Sequence, residues 1–438
     1  MADIDLAGLA TLSIALSKTV IDPHAYAEWN GLLDTFDHIR TTMPVAKVTP
    51  AEEGLYEPFW LITRYDDAMR ISKENAMFLN NPRPVVFAFN QAIEFSRAAT
   101  GSNMLVDSLV VFDAPIHPKY RKLTQDWFMP RNLKHLEGEI RALAERIVDA
   151  MLVAGPEIDF VEQVAGPYPL RVVMQILGVP PEDEPRMQML TQQLFGGQDA
   201  DLSGTGLKEM NSEQVVNLIA GAVKSFEDYF AQLAEERRAE PTDDVASVIA
   251  NALVDGAPLP PRDMAGYYII IATAGHDTTS ASTAGAMQAL SQDPEQWARV
   301  RADRSLLAGV VEEAIRWTSP VQHFMRTAAE DVELGGQQIK AGDWLMINYV
   351  AANHDPAQFD DPRKFDAARK PNRHLAFGAG AHQCLGLHLA RLEMRILFEV
   401  LLDKVAAIEP TGKAERATST FVGGLKKLPL RITPAEAV

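Results

Sequence analysis

The sequence predicts a mainly α-helical protein that forms one large domain with small peripheral β-sheets. Apolar residues recur at intervals of three and four over most of the 438 residues, which is the period of an amphipathic helix. Strand patterns are few and short, and no repeat, low-complexity tract or serine- and glycine-rich linker divides the chain. Length alone suggests about three domains. Because no boundary is visible, we expect a single domain over residues 1–438.

Individual elements can be assigned from their periodicity. Proline supports two helix ends, at Asp293-Pro294 and Ser319-Pro320, since the residue before proline disfavours the α conformation. Strands are predicted for Pro58–Arg64 and within Val332–Tyr349, where two strands meet at a Gly-Gly turn and a third follows. The helical pattern is clearest in residues 34–43, 65–74, 136–155, 215–240, 266–294, 306–320 and 384–405.

Composition excludes several classes of function. The formal net charge of −18 argues against nucleic acid or an anionic membrane as a partner, since both require a basic surface. A single cysteine cannot form an internal disulfide, and no run of 18 apolar residues occurs. Asp3 and Asp5 lie where a signal peptide has basic residues. We therefore expect a cytoplasmic enzyme of bacterial type that acts as a monomer.

The only cysteine, Cys384, lies in the stretch HLAFGAGAHQCLGLHLARLEM, directly before a strong helical pattern. The unpaired N–H groups and the positive dipole end of a helix favour a thiolate, which is a nucleophile or a soft metal ligand. Glycines around it allow a bulky group to approach the backbone. For a lone cysteine, simple packing in the core is the structural alternative.

The spacing of this stretch favours a metal ligand. Phe377, Gly380, Cys384 and Gly386 fit the pattern Phe-x-x-Gly-x-x-x-Cys-x-Gly, with His382 between them. The pattern resembles the haem-thiolate loop of the cytochrome P450 family. In that family a cysteine thiolate ligates the haem iron and promotes cleavage of the O–O bond. The resemblance implies that Cys384 is the iron ligand.

A second stretch agrees with the first. In Ala274-Gly275-His276-Asp277-Thr278-Thr279, polar residues interrupt an apolar helix, and the Thr278 hydroxyl can bond back to the carbonyl of Ala274. A buried carboxylate is costly unless it is paired or functional. The segment is similar to the oxygen-activating segment of the family. The resemblance implies that Thr278 steadies bound dioxygen and that Asp277 relays protons to it. A surface Asp and Thr on an amphipathic helix are the alternative.

Glu313 and Arg316 lie three residues apart on a predicted helix, within reach of one another. Most such pairs are exposed and contribute roughly 0–1 kcal/mol. Here the pair resembles the family's Glu-x-x-Arg motif. The resemblance implies a structural role, in which the pair anchors the core beneath the haem.

Four basic residues match the family's partners of the haem propionates. His117 and Arg121 occur in DAPIHPKYR, which resembles the element Asp-x-Pro-x-His-x-x-x-Arg, and Arg326 and His382 match two further positions. The planar guanidinium group suits carboxylates. Each of these residues alone would more often be a solvated surface charge.

The resemblance extends over roughly residues 20–430 and is nearest to bacterial α-terpineol-type monooxygenases. It implies a haem b cofactor, O2 as co-substrate and hydroxylation of a small apolar substrate, a monoterpenoid or alkyl-aromatic compound. A larger apolar substrate, such as a steroid or long-chain alkyl compound, is the alternative within the family. Since one cysteine cannot hold a [2Fe–2S] cluster, electrons are expected from a separate protein. The resemblance implies that this protein is a small acidic [2Fe–2S] ferredoxin with an NAD(P)H-dependent ferredoxin reductase.

Further contacts are assigned from the same resemblance. The haem is expected to touch Ala274, Phe377, Gly378 and Gly386. Around the cysteine loop, a basic docking patch for the ferredoxin is expected at Arg369, Lys370, Arg373 and Arg391, although ordinary surface charge explains each residue as well. The substrate pocket is expected to include Phe87, Phe89, Phe95, Ile271, Ala272, Val321, Phe324 and Phe421, although aromatic residues are more often simply core.

Three alternatives remain open. A peroxide-driven member of the same family typically lacks the acid–alcohol pair, whereas Asp277 and Thr278 are present here. A cysteine-nucleophile enzyme without haem would need a base, for which His382 or His388 is available. A non-catalytic helical scaffold would need Cys384 only for packing.

Overall fold

Helices dominate the computed structural model, which describes residues 10–195, 198, 199, 201 and 212–436. None of the predicted site residues falls outside these ranges. The helices are α1 (Ile14–Ile21), α2 (Pro23–Ala27), α3 (Trp29–Thr42), α4 (Tyr65–Lys73), α5 (Asn90–Thr100), α6 (Ile116–Gln125), α7 (Pro130–Leu133), α8 (Glu137–Ala154), α9 (Pro167–Ile176), α10 (Glu184–Phe195), α11 (Ser212–Ala239), α12 (Val245–Ala250), α13 (Pro261–Gln292), α14 (Pro294–Ala302), α15 (Leu307–Thr318), α16 (Tyr349–Asn353) and α17 (Leu387–Lys404).

Among the described residues, the strands form one five-stranded sheet, one three-stranded sheet and three two-stranded ribbons. Their orders are β1-β2-β10-β7-β3, β11-β14-β4, β12-β13, β5-β6 and β8-β9. The strands are β1 (Val45–Val48), β2 (Phe59–Ile62), β3 (Phe78–Leu79), β4 (Glu157–Asp159), β5 (Leu253–Val254), β6 (Ala257–Pro258), β7 (His323–Ala328), β8 (Val332–Leu334), β9 (Gln337–Ile339), β10 (Trp344–Asn348), β11 (Val405–Pro410), β12 (Glu415–Arg416), β13 (Leu425–Lys427) and β14 (Pro429–Pro434).

The predicted elements are present. Each of the seven helical patterns coincides with a helix, and the strands expected in Pro58–Arg64 and Val332–Tyr349 are β2, β8, β9 and β10. Asp293 ends α13 and also caps α14, where its carboxylate accepts the Gln296 N–H at 3.0 Å. Ser319 ends α15 in the left-handed region, with φ of 45°.

The long helix α13 organises the main core. It packs against α9, α11 and α15, while α17 packs against α8 and α15. Near its middle, Gly275 lets α9 approach, because a Cβ atom there would lie 2.6 Å from a methyl group of Val173. The five-stranded sheet covers a second apolar cluster at the N-terminal side of the chain. No helix in the described ranges is long and apolar enough to cross a membrane.

Candidate active site

A cavity of about 1550 Å³, a volume that includes its open mouth, lies between α13 and the loop that leads into α17. It brings together the three sequence features that pointed to a haem: Cys384, Thr278 and the four predicted propionate partners. The residues of all three features therefore line one continuous cavity.

Cys384 lies at the floor of this cavity. Its N–H donates to the carbonyl of Phe377 at 2.8 Å, which closes the loop into a tight hairpin-like turn. Gly378 and Gly380 take φ of 66° and 72°, so the turn uses the left-handed region twice. A Cβ at Gly380 would lie 2.4 Å from the carbonyl oxygen of Ser72, whereas at Gly386 it would meet nothing within 4 Å. The loop therefore presents open backbone to the cavity.

The pKa of Cys384 shifts in the direction opposite to the one expected from the helix end alone. Burial raises the pKa of the thiol, and the Gly386 N–H, Arg121 and Arg391 offset this rise only in part. A thiolate in this place therefore needs a cation to balance it. Within the described part of the chain, neither His382 nor His388 hydrogen-bonds to the sulfur, so the geometry for a cysteine–histidine nucleophile is missing.

The four predicted propionate partners converge on the cavity. His117 and Arg121 share one face of α6, Arg326 lies in β7, and His382 lies in the cysteine loop. The imidazole rings of His117 and His382 are 4.0 Å apart between centroids. We call these four residues the basic cluster.

The basic cluster has no carboxylate in ion-pair contact among the described residues. His117 Nε2 and Arg326 Nε are buried and have no hydrogen-bond partner. Burial, followed by the neighbouring positive groups, lowers the pKa of His117 to about 4 and that of His382 to about 2. Buried donors without partners are costly. The cluster therefore fits a ligand with carboxylates, as the two propionates of a haem provide.

On α13, Thr278 lines the cavity and Asp277 does not. The Thr278 hydroxyl donates to the carbonyl of Ala274 at 3.0 Å, as predicted, and Ala274 faces the cavity. Asp277 lies one residue out of phase with this face, with 39% of its side chain exposed, and its carboxylate is 2.9 Å from His276 Nδ1. Thr278 therefore faces the cavity, and Asp277 lies on the solvent side of α13.

The Glu313–Arg316 pair is fully buried, unlike an ordinary helix surface pair. Arg316 forms two bonds to the Glu313 carboxylate, at 2.7 and 2.8 Å, and donates to the carbonyls of Asn353 and Pro362. Arg369 bonds both oxygens of the same carboxylate at 3.0 and 3.1 Å. The pair therefore joins α15 to the long connection before Cys384.

A second acid on α15 supports the cysteine loop itself. Glu312 accepts two bonds from Arg391, at 2.5 and 2.8 Å, and its carboxylate is 3.3 Å from His374 Nε2. The Arg391 guanidinium lies 4.8 Å from the centroid of the Phe377 ring. Burial raises the pKa of Glu312, but His374 and Arg391 outweigh it and lower the pKa to about 2.

The expected docking patch is only partly available. Arg369 is 9% exposed and bound to Glu313, so it cannot present its charge to a partner. Arg391 is 35% exposed but engaged by Glu312. Lys370 and Arg373 are exposed. The sequence could not distinguish these residues, because the partner of Arg369 lies 56 positions away.

Three of the eight predicted substrate residues line the cavity: Ile271, Val321 and Phe324. Ala272 does not, because it lies on another face of α13 and is buried in the core. Phe421 packs its ring 5.6 Å from that of Phe324, so it forms a layer behind the wall.

The three phenylalanines predicted from the segment before and within α5 are also outside the cavity lining. Phe87 packs with Tyr56, Phe59 and Trp344 in an aromatic cluster. Phe89 packs on the edge of the same cluster and is 39% exposed, and Phe95 is half-buried on α5. Phe87 and Phe89 therefore belong to this aromatic cluster, and none of the three rings lines the cavity.

Sequence reasoning missed Glu393, which lines the cavity from α17. It is 1% exposed, Thr279 Oγ1 lies 3.1 Å from its Oε1, and its Oε2 has no partner. Burial raises its pKa well above the usual range, so it holds a proton. A sequence signal existed: Glu393 stands midway between Leu389 and Leu397, at four-residue spacing on the buried face of α17.

The apolar wall is the other part that the sequence did not assign. It is formed by side chains from the segment before α6, from α9 and from α13. These residues are Leu109, Val110, Val173, Ile176 and Ile270, and they adjoin the predicted Ile271.

Comparison with known proteins agrees with this geometry. The family model for cytochrome P450 matches residues 207–431. Cytochrome P450-terp from Pseudomonas sp is 41% identical over 427 residues, covering 97% of this chain and 99% of that protein. Steroid C26-monooxygenase from Mycolicibacterium smegmatis is 33% identical over 371 residues, covering 84% and 82%.

Solved structures give the same result. The crystal structure of CYP108D1 from Novosphingobium aromaticivorans is 61% identical, with a TM-score of 0.90, and the match covers 97% of this chain and 100% of that one. A haem-thiolate cofactor and the use of O2 are common to the family. The chain belongs to the cytochrome P450 family and is a P450 monooxygenase.

Proposed function

We propose that this monooxygenase binds haem b and inserts one oxygen atom of O2 into a C–H bond of a small apolar substrate, a monoterpenoid or an alkyl-aromatic compound. The observation that carries the proposal is the arrangement of one cavity: a buried cysteine at its floor, the basic cluster, and an apolar wall. We further propose that residues 1–438 form one domain.

Cys384 would ligate the iron, and the basic cluster would hold the propionates. Phe377, Gly378, Gly386 and Ala274 line the same cavity and leave room for a flat ring. The two unpartnered nitrogens, His117 Nε2 and Arg326 Nε, would gain carboxylate acceptors. When bound, haem supplies the iron at which dioxygen is activated.

Thr278 and Asp277 would divide proton delivery between them. Thr278 keeps its hydroxyl at the cavity wall through the bond to Ala274, and Asp277 stands next to it on the solvent side of α13. A proton can therefore pass from solvent to the Asp277 carboxylate and on to the Thr278 hydroxyl. Glu393 keeps a second proton at its carboxyl group, beside Thr279.

The character of the wall supports a small apolar substrate. Apart from the basic cluster and the protonated Glu393, the described residues that line the cavity carry no formal charge beyond the Cys384 sulfur. A fatty acid would require a basic anchor of its own. The name of cytochrome P450-terp agrees with a terpene, whereas that of steroid C26-monooxygenase supports the larger alternative.

Electrons would come from a separate [2Fe–2S] ferredoxin and its NAD(P)H-dependent reductase. The chain has a single cysteine and cannot itself hold a [2Fe–2S] cluster, which takes four ligands. Lys370 and Arg373 offer exposed positive charge near the cysteine loop of an otherwise acidic protein.

Spectral titration tests the proposed substrate class. The haem-loaded protein is titrated with α-terpineol, linalool and p-cymene, and in parallel with a C27 steroid. We expect the monoterpenoids or p-cymene to shift the iron from low to high spin and to yield hydroxylated products. If only the steroid does so, the substrate proposal is wrong and the larger alternative holds.

A pair of threonine variants tests the proton route. Thr278→Ala should divert most electrons to hydrogen peroxide while substrate still binds. Thr273→Ala is the matched control, since Thr273 also bonds back four residues on α13, to Ile269 at 2.7 Å, but is buried away from the cavity. Equal coupling of electrons to product in Thr278→Ala and wild type would contradict the proton role.

A further inference from the structure

His323, at the first position of β7, joins two loops that lie behind the cavity wall. The residue is fully buried. Its Nε2 lies 3.1 Å from the backbone nitrogen of Phe87, and its Nδ1 lies 2.8 Å from the carbonyl oxygen of Thr420. The two loops are 333 residues apart in sequence, so the imidazole acts as a long-range link.

These two bonds define the state of the ring. The Phe87 N–H can only donate, so Nε2 must accept, and the Thr420 carbonyl can only accept, so Nδ1 must carry the proton. Burial lowers the pKa of His323 to about 4, which agrees with a neutral ring. A proton on Nε2 would place the Nε2–H and the Phe87 N–H opposite one another, so neither could accept a hydrogen bond from the other.

The residues beside His323 reach the cavity. Phe324 is its neighbour in β7 and lines the cavity, and the Phe421 ring packs against both residues, at 5.7 Å from His323 and 5.6 Å from Phe324. Gln322 fixes the same turn, because its N–H donates to the carbonyl of Phe421 and its amide to that of Ser419. A shift of either loop would therefore move the Phe324 ring.

The first loop is held to the sheet at further points. Met325 N–H donates to the carbonyl of Val85 at 2.8 Å, and the Trp344 indole donates to that of Pro84 at 3.1 Å. Those bonds attach the loop to β7 and β10 but not to the C-terminal turn. Among the described contacts, the hydrogen bond from Phe87 to His323 is the one that connects this loop, through the imidazole ring, to Thr420.

We propose that His323 is a positioning residue for substrate: by holding the Phe87 loop and the Thr420–Phe421 turn at its two ring nitrogens, it sets the place of the Phe324 ring and so decides which carbon of the substrate is oxidised. The proposal rests on the proposed function. It assigns to His323 no contact with substrate or cofactor.

Three substitutions separate the two bonds. His323→Asn keeps an amide N–H near the position of Nδ1 and loses the acceptor for Phe87. His323→Gln keeps an amide oxygen near the position of Nε2 and loses the donor to Thr420. His323→Leu loses both. The control is His354→Leu, which removes another buried histidine whose Nδ1 bonds only within its own helical turn, to the Val350 carbonyl at 2.9 Å.

Three quantities are measured on the haem-loaded proteins: hydrogen–deuterium exchange, the product ratio from α-terpineol or p-cymene, and the dissociation constant of 4-phenylimidazole. The last compound probes the cavity whatever the natural substrate is. In His323→Leu we expect faster exchange in residues 84–89 and 419–424 and a changed product ratio. Phenylimidazole should bind about tenfold more weakly, the order of magnitude expected when the probe loses its aromatic contact with the Phe324 ring. His323→Asn should increase exchange mainly in residues 84–89, and His323→Gln mainly in residues 419–424.

The control should lose comparable thermal stability without a change in product ratio or probe affinity. Unchanged exchange in both loops, or faster exchange with unchanged product ratio and probe affinity, would overturn the proposal. The proposed function fails differently: wild-type protein would then oxidise neither test compound, while the exchange and phenylimidazole measurements would still decide the role of His323.

Discussion

Basic side chains lie on two sides of Cys384, and, in the part of the chain that the structure describes, only those on one side have carboxylate partners. Behind the cysteine loop, Glu313 holds Arg316 and Arg369, and Glu312 holds Arg391, so each of these guanidinium groups meets a carboxylate. We call this the ion-pair layer. The basic cluster, on the cavity side, gathers two arginines and two histidines without an ion pair to a carboxylate among the described residues.

The difference separates support from binding. A buried charge that has its full set of partners stabilises one arrangement of the chain, and removal of one partner is strongly destabilising. A buried charge without a partner costs stability unless a ligand supplies what is missing. The ion-pair layer therefore stabilises the fold around the cysteine loop. The basic cluster, in contrast, is suited to bind an anionic ligand.

The largest effect is expected in the ion-pair layer. Glu313→Gln should destabilise the protein by about 3–5 kcal/mol, because it leaves Arg316 and Arg369 buried without a counter-charge. Chemical unfolding of the haem-loaded protein measures this loss. Glu137→Gln is the control, since its pair with Arg395 is more than a third exposed and should contribute roughly 0–1 kcal/mol. Similar losses in both variants would contradict the scaffold role.

The basic cluster should affect the cofactor more than the fold. Arg326→Met should release haem to an acceptor apoprotein about 10- to 100-fold faster, the range expected when charge-assisted hydrogen bonds worth about 1.5–3 kcal/mol are lost. Its melting temperature without haem should not fall, because the variant removes a buried unpaired charge. Arg304→Met, at an exposed pair with Asp403, should leave haem release unchanged. An unchanged rate of haem release from Arg326→Met would contradict the assignment of Arg326 as a partner of the haem propionates.

The contribution of Glu312 to stability should depend on pH. Its pKa falls from 4.5 to about 2 on folding, so the native state stabilises the charged form, and this stability is present above pH 4.5. It should be lost as the pH falls from 4.5 towards 2. Glu312→Gln should cost on the order of 1–3 kcal/mol at pH 7, and the difference from wild type should shrink over that acidic range. A difference that is constant with pH would contradict the account.

The smallest effect is expected at Glu393, and it has the opposite sign. Because burial raises its pKa, the native state holds a proton that the unfolded chain releases above its ordinary pKa of 4.5. Wild-type stability should therefore fall as the pH rises beyond that value. Glu393→Gln keeps an acceptor for Thr279 and removes the titration, so it should equal or exceed wild type at pH 8. Thermal melts from pH 5 to pH 8 measure this, and parallel curves for the two proteins would argue against a protonated Glu393.

Much of this site could be read from local sequence. Cys384, Thr278 and the His117–Arg121 pair occupy motifs in which the chemistry and the spacing lie within a few residues, and all of them line one cavity. Asp277 differs from them, since a one-residue change of helix phase places its side chain on the solvent side of α13, where a relay of protons from solvent to Thr278 needs it.

The three phenylalanines predicted near α5 lie outside the cavity lining for a reason of their own. Phe87, Phe89 and Phe95 are apolar residues in a loop region and a short helix, where periodicity does not define an inward face. The side chains that decide their place come from distant strands, such as Phe59 and Trp344. Only the tertiary structure shows that Phe87 and Phe89 pack against each other and lie outside the cavity lining.

The central claim is that Cys384 ligates a haem in this cavity, and the spectrum of the reduced carbon monoxide complex tests it most directly. Wild-type protein should show a Soret band at about 450 nm, the signature of thiolate ligation in this family. Cys384→Ser should retain the helical circular dichroism of the wild type but lose that band. A colourless wild-type protein, or an unchanged band in Cys384→Ser, would contradict the account.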